Sequence, residues 1–417
     1  MGTGKVTSLA YLVGHYPAIT HTFILREVLE LRQIGFDIQT ASVNQAEVSN
    51  DGATEQERDE EARTFYVKAR GWPGILMDHT ACLISRPHRY LAGLAFAVRL
   101  ARLDLSAALR HCFYFAEAVV IGQWMRRKAL HHLHVHFAVA TSTVAMLVKK
   151  IFGTPYSITV HGPDEFYGVR HHHLAEKVGE AAFIVCIGQF CRSQLMMTAA
   201  PRYWEKLEVC PLGVDPNEFQ PRHLPAPTFQ ILCVGRLVPR KGQAVLVEAT
   251  ARLVKRGREV QLSLVGDGPD REALEGAAAR LNISESVTFH GWINQRRIRE
   301  FMETADVFVL PSFAEGVPVC LMEAMAMEIP CISTFVAGIP ELIESGKHGI
   351  LVPPSDPELL AAAVEKLIGD PELRLRLARG GRRRVLEKYD LQVNVRRLAA
   401  ILERRLLSEL QEGRDDA

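Results

Sequence analysis

The sequence lacks the features that mark secreted, membrane-spanning and nucleic-acid-binding chains. Its eight cysteines form no CxxC pair, which favours a reducing cytosol where thiols serve as small hydrophobic side chains. The first apolar run, Val6 to Val13, is too short for a signal peptide and is typical of a strand, and no later run approaches a membrane span. A net charge of +1 argues against a dedicated nucleic-acid binder.

Two nucleotide-binding signatures are incomplete. Gly2 to Lys5 resembles a piece of a phosphate-binding loop, but the upstream glycine and the following Ser or Thr are missing. The stretch GDGPDR, residues 266–271, lacks the third glycine of GxGxxG. A dinucleotide-dependent oxidoreductase is therefore disfavoured.

The 417 residues do contain a regular alternation of β-rich runs and amphipathic helical stretches, which is typical of α/β folds with parallel sheets. We expect strands at SLAYLV, FDIQTASV, HLHVHF, YSITVHG and AFIVCIG in the first half, and at QILCVGRL, VQLSLVGDG, VTFHGW, DVFVLPSF, PCISTF and GILVPP in the second. A helix is expected from Thr22 to Gln33, stopped by Gly35.

The prolines of Pro221 to Pro227 predict a linker between two similar α/β halves. We expect an N-terminal domain over residues 1–220, a C-terminal domain over residues 228–390, and a C-terminal helix and tail over residues 391–417. Ligands of open parallel sheets bind beyond the carboxyl ends of the strands. Two such domains facing each other would form a cleft, and the functional residues are expected there.

The stretch CVGRLVPRKG, residues 233–242, places Arg236 and Lys241 just past the carboxyl end of a predicted strand. Gly235 would let the backbone approach a ligand closely. Two fixed cations at this position suit a diphosphate, since arginine donates bidentate hydrogen bonds and lysine supplies a point charge. A solvated basic loop is the alternative.

The stretch AEGVPVCLMEAMAMEIP, residues 314–330, is apolar except for three glutamates. Pro318 suits the first position of a helix, so the backbone N–H groups of Val319, Cys320 and Leu321 would lack intrahelical partners and form an anion site. Glu315 and Glu323 would flank that anion and accept hydrogen bonds from sugar hydroxyls. The alternative is a helix-entry charge and an exposed surface residue.

These motifs resemble the retaining GT-B glycosyltransferases, specifically glycosyltransferase family 4. The segments GRLVPRKG, VGDGP, FVLPSFAEGVPVCLMEAMA, AGIPELI and HGILVPPSDPELLAAAV follow the family's order, as do ITVHGPDEF, VCIGQFCRSQL and VCPLGVDPNEF in the first half. The segments YPAITHTFILREVLELRQIGF and HVHFA resemble a bacterial branch that builds exopolysaccharides of the colanic-acid type. The resemblance implies two Rossmann-like domains, with C-terminal helices crossing back to the first.

The resemblance also implies a reaction, the transfer of a hexose with retention from a nucleotide-diphosphate sugar to a glycan hydroxyl, on an acceptor that is lipid-linked. No metal or other cofactor is implied, and a UDP-sugar is favoured over a GDP-sugar. The implied catalytic residues are Glu315, His161, Arg236 and Lys241. The implied donor-binding residues are Gly14, Arg236, Lys241, Gly266, Trp292, Glu315, Val319, Cys320, Leu321 and Glu323.

Two positions depart from the family pattern. Glu328 and Ala337 stand where relatives carry glycine. If the backbone there is left-handed, a side chain costs about 1 kcal/mol or more. Neither residue is an implied ligand.

Histidines at 131, 132, 134, 136 and 171–173 suggest a metal site, and strand alternation puts His132, His134 and His136 on one face. No acidic or thiol partner occurs at ligand spacing, so a structural or acceptor-side role for His134 or His136 is favoured. Asp164 and Glu165 follow His161 and would meet a substrate or lie in a solvated loop.

The segment Arg86 to Lys150 has ten Lys or Arg residues against two acids. Its aromatic residues are Phe113, Tyr114, Phe115 and Trp124, set among Arg99, Arg102, Arg110, Arg126, Arg127 and Lys128. This composition suits a helix on an anionic membrane surface, in a cytoplasmic protein peripheral to the inner face of the membrane. A packed helix pair with a solvated basic face fits equally well.

Three other functions compete with transfer. A nucleotide-sugar epimerase shares the two-domain architecture but needs no acceptor. A glycoside hydrolase would use two carboxylates astride a glycosidic bond, where a diphosphate clamp has no purpose. A non-catalytic nucleotide-binding subunit would not need the full set Glu315, Glu323, Arg236, Lys241 and His161.

Overall fold

A computed structural model describes residues 8–18, 21–47, 54–101, 104–167, 169, 172–222, 224 and 226–415, with side chains to residue 408. The phosphate-loop-like Gly2 to Lys5, Arg102 and His171 lie outside the described residues. The chain divides into two compact units, each described by itself. Unit 1 comprises Met1–Cys210 with Val395–Ala417, and unit 2 comprises Pro211–Asn394.

Unit 1 is built on a seven-stranded parallel sheet in the order β3-β2-β1-β4-β5-β6-β7. Its strands are β1 Ser8–His15, β2 Asp37–Asn44, β3 Phe65–Tyr66, β4 Leu133–His136, β5 Tyr156–Val160, β6 Ile184–Cys186 and β7 Leu207–Val209. Its first eight helices are α1 Thr22–Gln33, α2 Glu55–Arg63, α3 Gly71–Ser85, α4 Pro87–Leu100, α5 Leu105–Arg127, α6 Ala140–Phe152, α7 Leu174–Glu180 and α8 Gln189–Thr198. Strands β4, β5 and β6 are buried along their whole length, as expected of a parallel sheet covered on both faces.

Unit 2 is built on a six-stranded parallel sheet in the order β10-β9-β8-β11-β12-β13. Its strands are β8 Phe229–Val234, β9 Val260–Val265, β10 Val287–Gly291, β11 Val307–Leu310, β12 Cys331–Thr334 and β13 Ile350–Val352. Its helices are α9 Gln243–Lys255, α10 Arg271–Arg280, α11 Gln295–Thr304, α12 Val319–Ala326, α13 Ile339–Leu342, α14 Pro357–Gly369 and α15 Pro371–Lys388. The last helix, α16 Leu391–Asp415, starts in unit 2 and continues in unit 1, where Arg404 and Arg405 both donate to Glu208 on β7.

All eleven predicted strands are present, and helix α1 has the predicted ends. Gly35 has a φ of +104°, a left-handed conformation that explains why the helix stops there. Strands β3 and β7 were not predicted. They have two and three residues, too few for a periodic pattern to show.

The boundary between the units falls after Cys210, not after Gln220 as the prolines suggested. The cause is hydrogen bonding: Leu391 N–H donates to the Val214 carbonyl at 3.0 Å, and the Asn394 amide donates to the Leu212 carbonyl at 3.0 Å. The predicted linker instead packs on unit 2, where Leu224 N–H donates to the Glu303 carbonyl at 2.7 Å. His223 and Pro225 lie outside the described residues.

Candidate active site

The predicted donor-binding residues of unit 2 lie at one edge of its sheet. Arg236 follows β8, Gly266 follows β9, Trp292 follows β10 and Glu315 follows β11. These four strands are consecutive neighbours and parallel, so their carboxyl ends share the edge at which open α/β sheets bind ligands.

Lys241 and the buried Glu315 form a largely shielded ion pair at this edge, with side-chain exposures of 14% and 9%. The Lys241 Nζ donates to Glu315 Oε1 at 2.5 Å, and the Ser312 hydroxyl donates to the same oxygen at 2.8 Å. Burial alone would lower the pKa of Lys241, but the Glu315 carboxylate outweighs it and raises the pKa above its ordinary value. The resemblance assigned the two groups to different parts of a ligand, and nothing in the sequence predicted that they pair.

A glycine explains how Lys241 reaches Glu315. Gly242 has a φ of +66°, and a Cβ there would lie 2.2 Å from the Pro311 carbonyl oxygen. Only glycine lets the turn pack against the end of β11. At Gly235, where the sequence predicted a close approach of the backbone to a ligand, a Cβ would meet only ordinary contacts with Lys241 at 3.8 Å. The tight position is Gly266, where a Cβ would lie 2.1 Å from the Gly235 carbonyl oxygen.

Arg236 is exposed, unlike Lys241. Among the described residues, no hydrogen bond or ion pair engages its guanidinium, and its backbone carbonyl accepts from Gln243 Nε2 at 2.9 Å. The edge therefore carries one cation held by a carboxylate and one cation open to solvent.

Helix α12 begins one residue later than predicted. Pro318 is its N-cap, with φ −73° and ψ 122°, and Val319 is its first residue. The N–H of Leu321 donates to the Pro318 carbonyl at 3.2 Å, so the prediction that this N–H lacks a partner was wrong. By position, the N–H groups of Val319 and Cys320 remain at the open end of the helix.

Glu323 is 6% exposed on α12, which contradicts the alternative of a solvent-exposed residue. Its Oε1 accepts from the Gln295 side-chain amide at 2.8 Å. Gln295 opens α11 and was not predicted, because nothing in the sequence around it marks it. The buried carboxylate is thus held by a neutral amide donor.

The corresponding edge of unit 1 carries histidines. His136 ends β4, His161 follows β5, and His136 Nδ1 lies 2.9 Å from His161 Nε2. His136 Nε2 faces Glu27 Oε1 at 3.4 Å, and the Tyr11 hydroxyl donates to that same oxygen at 3.0 Å. Burial lowers the pKa of His161 well below its ordinary value, and His136 adds to the effect.

Glu27 supplies the acidic partner that the sequence analysis did not find. It lies on α1 among Ile24, Val28 and Leu31, so a charged residue on the apolar face of a predicted helix was the available signal. Ligand atoms of Glu27, His134 and His136 lie within 4.8 Å of one another, which is close enough for a metal ion.

Hydrogen bonds already occupy one member of that group. The Ser157 hydroxyl lies 2.8 Å from His134 Nδ1, and the Thr159 hydroxyl lies 2.9 Å from His134 Nε2. Ser157 also lies 2.8 Å from His132 Nε2, which confirms that these histidines share a face. His131 is exposed and His173 is buried beside His111, so the described histidines do not form one metal centre.

Glu165 is not a solvated loop residue. It is 2% exposed and accepts from the N–H groups of Ala138, His161 and Gly162. Burial raises the pKa of Glu165 to about 7 and lowers the pKa of its neighbour Lys177 to about 7. Lys177 Nζ donates to the Ala138 carbonyl at 3.0 Å, so the pair ties the loop after β4 to the loop after β5. Asp164 is exposed.

Comparison with known proteins identifies the second half of the chain. Residues 214–384 match the family described as Glycosyl transferases group 1. These residues form a group 1 glycosyltransferase domain. The match contains β8 to β13 and every predicted site residue of unit 2.

Relatives of this glycosyltransferase extend the likeness to both units. The chain is 28% identical over 404 residues to the colanic acid biosynthesis glycosyltransferase WcaL of Escherichia coli, covering 93% of this chain and 97% of the relative. It is 26% identical over 417 residues to the amylovoran biosynthesis glycosyltransferase AmsK of Erwinia amylovora, covering 95% and 99%. Both relatives are glycosyltransferases named for exopolysaccharide biosynthesis, and the similarity to them does not favour the epimerase alternative.

The solved structures confirm the GT-B fold of the glycosyltransferase. Anabaena Alr3699/HepE, solved in complex with UDP-glucose, superposes with a TM-score of 0.71 at 16% identity, covering 95% of this chain and 99% of that one. The sucrose-phosphate synthase of Thermosynechococcus elongatus superposes with a TM-score of 0.76 at 20% identity, covering 97% and 100%.

Proposed function

We propose that this glycosyltransferase moves a hexose, with retention, from a nucleotide-diphosphate sugar to a hydroxyl of a glycan acceptor in exopolysaccharide or cell-surface polysaccharide biosynthesis. The observation that carries the proposal is the pairing of Lys241 with Glu315 beside the exposed Arg236 and the start of α12. This edge presents two cations for a diphosphate, one of them in contact with a carboxylate suited to sugar hydroxyls.

The pair suggests an exchange on donor binding. The diphosphate takes over Lys241 from Glu315, and Arg236 and the N–H groups of Val319 and Cys320 complete its binding. Glu315 then turns to the hydroxyls of the donor sugar. The exchange keeps every buried charge paired, which matters because an unpaired buried charge costs several kcal/mol.

The nucleoside binds further along the same edge. Glu323, held by Gln295, accepts hydrogen bonds from the ribose hydroxyls. We assign the base to the loops after β9 and β10, where Gly266 packs tightly against the Gly235 carbonyl and Trp292, 43% exposed, offers an aromatic face. A UDP-sugar is favoured, in keeping with the UDP-glucose bound by Anabaena HepE.

In unit 1, His161 is assigned to the donor sugar and Gly14 to the diphosphate, as the resemblance implies. The Glu27 carboxylate beside His136 Nε2 favours a proton on that nitrogen. His136 Nδ1 is then an acceptor for the Nε2–H of His161. His161 is left with Nδ1 as an acceptor for a sugar hydroxyl. A Cβ at Gly14 would come no closer than 4.0 Å to Thr141, so space for a ligand exists beside its backbone.

The reaction breaks the bond between the sugar's anomeric carbon and the diphosphate and forms one to the acceptor oxygen on the same face. The departing phosphate oxygen takes the acceptor's proton. Lys241, Arg236 and the start of α12 stabilise the charge on the leaving group, so no metal is needed. A chelator should leave the transfer rate unchanged, and loss of activity that added metal restores would refute this part of the proposal.

A panel of nucleotide sugars tests the donor assignment directly. A donor at one hundred times its dissociation constant stabilises the native state by about 2.7 kcal/mol, which thermal unfolding detects. We expect UDP-sugars to raise the melting temperature more than GDP-sugars. A panel in which no nucleotide sugar raises it would contradict the proposed function.

The acceptor is assigned as a lipid-linked glycan, and the enzyme as a cytoplasmic protein peripheral to the inner face of the membrane. The relatives WcaL and AmsK are named for the biosynthesis of colanic acid and amylovoran, which supports a polysaccharide product. An extract of lipid-linked glycans should accept label from the donor, whereas a labelled product that appears only with water as the acceptor would refute transfer.

A further inference from the structure

Helix α3 has its polar and apolar faces reversed. A surface helix of a globular protein ordinarily buries its apolar residues and exposes its charges. In α3 the only charged residue, Asp78, is 1% exposed, whereas Trp72 is 82% exposed, Leu76 68% and Ile84 77%. Asp78 is stabilised by Arg70 at 3.1 Å and Arg127 at 2.7 Å. The helix is thus anchored by a buried ion pair and presents hydrocarbon outward.

The two following helices also leave apolar stripes exposed. On α4, Leu91 and Val98 lie two turns apart and are both at least half exposed. On α5, Leu105, Leu109 and Phe113 recur every four residues, so they lie on one helical face, and each is more than half exposed. Isolated exposed apolar residues are normal, but three consecutive helices with such stripes are not.

These helices are packed elements of unit 1. His79 on α3 lies 2.9 Å from the Tyr90 hydroxyl on α4, and Phe115 on α5 contacts both rings, with centroid distances of 5.8 and 5.0 Å. Helix α4 lies so close to α6 that a Cβ at Gly93 would be 2.5 Å from Ile151. The stripes are therefore the outer surface of an ordered helical layer.

The charges around these stripes are almost all positive. The basic residues are Lys68, Arg86, Arg89, Arg99 and Arg110, besides Arg70, which is paired with Asp78. Two acids lie in the same stretch. Asp78 is buried in its ion pair, and Asp104 accepts from the N–H groups of Ser106 and Ala107 at the start of α5. Exposed apolar side chains surrounded by basic residues are complementary to an anionic lipid surface. An ordinary protein–protein interface would contain acidic residues as well.

Helix α5 is long and apolar enough to cross a membrane, but 44% of its most apolar window is buried in the protein. The buried part is the second half, from Ala118 to Met125, which lies in the core of unit 1. Only the first half of α5 exposes its apolar stripe. A helix that lies on the membrane fits this division, and a helix that spans it does not.

We infer that α3, α4 and the first half of α5 form a membrane-docking face, with Trp72, Leu76 and Ile84 entering the boundary between headgroups and acyl chains. The surrounding arginines bind the lipid phosphates. This face starts before Arg86, and it excludes Phe115 and Trp124, which are buried. Only the role of this face rests on the proposed function: docking would bring the candidate active site to a lipid-linked acceptor.

Co-sedimentation with vesicles tests this face. The wild-type chain should bind vesicles of phosphatidylcholine mixed with phosphatidylglycerol, bind pure phosphatidylcholine weakly, and release at high salt. The double variant Trp72→Glu, Ile84→Glu should bind the mixed vesicles at least roughly tenfold less. Met197→Glu is the matched control, because Met197 is 77% exposed on α8 of the same unit, and it should bind like the wild type.

Fluorescence locates the contact independently of affinity. Lipids brominated in the acyl chain should quench the wild-type emission on binding. Most of this quenching should be absent in Trp72→Phe, which replaces an exposed side chain and leaves the packing of α3 intact. Equal quenching in the two proteins would place Trp72 outside the bilayer and overturn the inference.

Two further results would also overturn it. One is unchanged vesicle binding by the double variant. The other is a wild-type chain that ignores vesicles but forms dimers broken by Trp72→Glu, which would make the face a protein interface. The donor-induced rise in melting temperature separates this inference from the proposed function. The rise should be the same in the double variant as in the wild type. If the donor raised the melting temperature of neither, donor binding would be refuted and the vesicle result would still stand.

Discussion

The carboxyl edges of the two sheets differ in charge: the one in unit 1 carries neutral histidines, and the one in unit 2 carries an ion pair. At the edge of unit 1, His134, His136 and His161 are buried, and their partners are hydroxyls, a neighbouring ring and, for His136, the Glu27 carboxylate. At the edge of unit 2, a lysine is buried against a glutamate. Burial lowers the pKa of His161 and His134, whereas Glu315 holds the pKa of Lys241 above its ordinary value.

The difference shows how one architecture provides two kinds of binding edge. A buried neutral ring can orient a hydroxyl but cannot hold a diphosphate, because it has no charge to pair with it. A buried cation can hold a diphosphate, provided that a carboxylate compensates its charge until the ligand arrives. In this comparison, unit 2 supplies charge and unit 1 supplies orientation.

The largest effect should come from removing the charge of unit 2. Lys241→Ala and Arg236→Ala should each lower kcat/KM for transfer by about 10²–10³-fold, since each removes a group that stabilises the leaving diphosphate. Lys255→Ala, an exposed lysine at the end of α9, is the control and should keep the wild-type rate. Steady-state kinetics with circular dichroism as a check of folding would measure this. Wild-type turnover in either folded variant would refute the clamp.

The Lys241–Glu315 exchange can be tested without turnover. Glu315→Gln removes the carboxylate and leaves Lys241 buried without compensation, which should destabilise the free protein by about 3–5 kcal/mol. A nucleoside diphosphate should then raise the melting temperature of Glu315→Gln more than that of the wild type, because its binding no longer displaces a partner. Ser312→Ala is the comparison, since it removes a neutral bond to the same carboxylate oxygen. An equal rise in the variant and the wild type would rule out the exchange.

A smaller effect should follow from disturbing the orientation of His161. Glu27→Gln removes the charge that fixes the proton on His136. Because the hydrogen bond that orients His161 is then weakened, kcat should fall about tenfold. The KM for donor should change less than kcat. The control is His131→Gln, since His131 is exposed and lies just before β4, the strand that ends in His136. It should change neither kcat nor KM. Nitrogen chemical shifts of His161 report its tautomer, and an unchanged tautomer in Glu27→Gln would disprove that Glu27 sets the proton positions on His136 and His161.

The neutral histidines also predict a pH dependence that is stronger in unit 1, since burial lowers the pKa of His134 and His161 well below its ordinary value and lowers that of His290 in unit 2 less far. In the unfolded chain they bind a proton near their ordinary pKa of 6.5, whereas burial keeps them neutral in the folded state. Above pH 6.5 these histidines are neutral in both states and do not change the free energy of unfolding. As the pH falls below 6.5, the unfolded chain binds protons that the folded chain does not. The free energy of unfolding then falls by up to about 1.4 kcal/mol per pH unit for each histidine. Hydrogen exchange, corrected for the intrinsic pH effect, should show β4 and β5 losing protection before β8 and β11. Equal losses in both sheets would remove this distinction.

The sequence predicted the two edges better than the partners within them. Strand alternation located Arg236, Glu315, His136 and His161 at carboxyl ends, because that depends only on where each run of hydrophobic residues stops. The pairing of Lys241 with Glu315 depends on β8 and β11 being neighbours, which 74 residues of separation conceal. The contact of Glu27 with His136 likewise depends on how α1 packs beside β4. The exposed apolar face of α3 depends on the burial of Asp78, which the sequence does not indicate.

The smallest effects concern backbone strain, which occurs in both units. Glu328 after α12 has a φ of +58°, and Phe137 after His136 has a φ of +70°, a region that favours glycine. Ala337 is a second such position in unit 2, with a φ of +47°. Glu328→Gly should raise the free energy of unfolding by about 1 kcal/mol, measured by denaturant titration, whereas Glu328→Ala should not.

Phe137→Gly relieves the same strain and should nonetheless lower both stability and kcat. The Phe137 ring lies 4.6 Å from the ring of His161, centroid to centroid, so its removal takes away the contact that holds His161 in place. A non-glycine residue in left-handed backbone is thus retained for its side chain in unit 1, while in unit 2 the side chain of Glu328 has no such contact to lose. If Phe137→Gly stabilised the protein as much as Glu328→Gly, the two strained positions would be equivalent and the role given to Phe137 would be wrong.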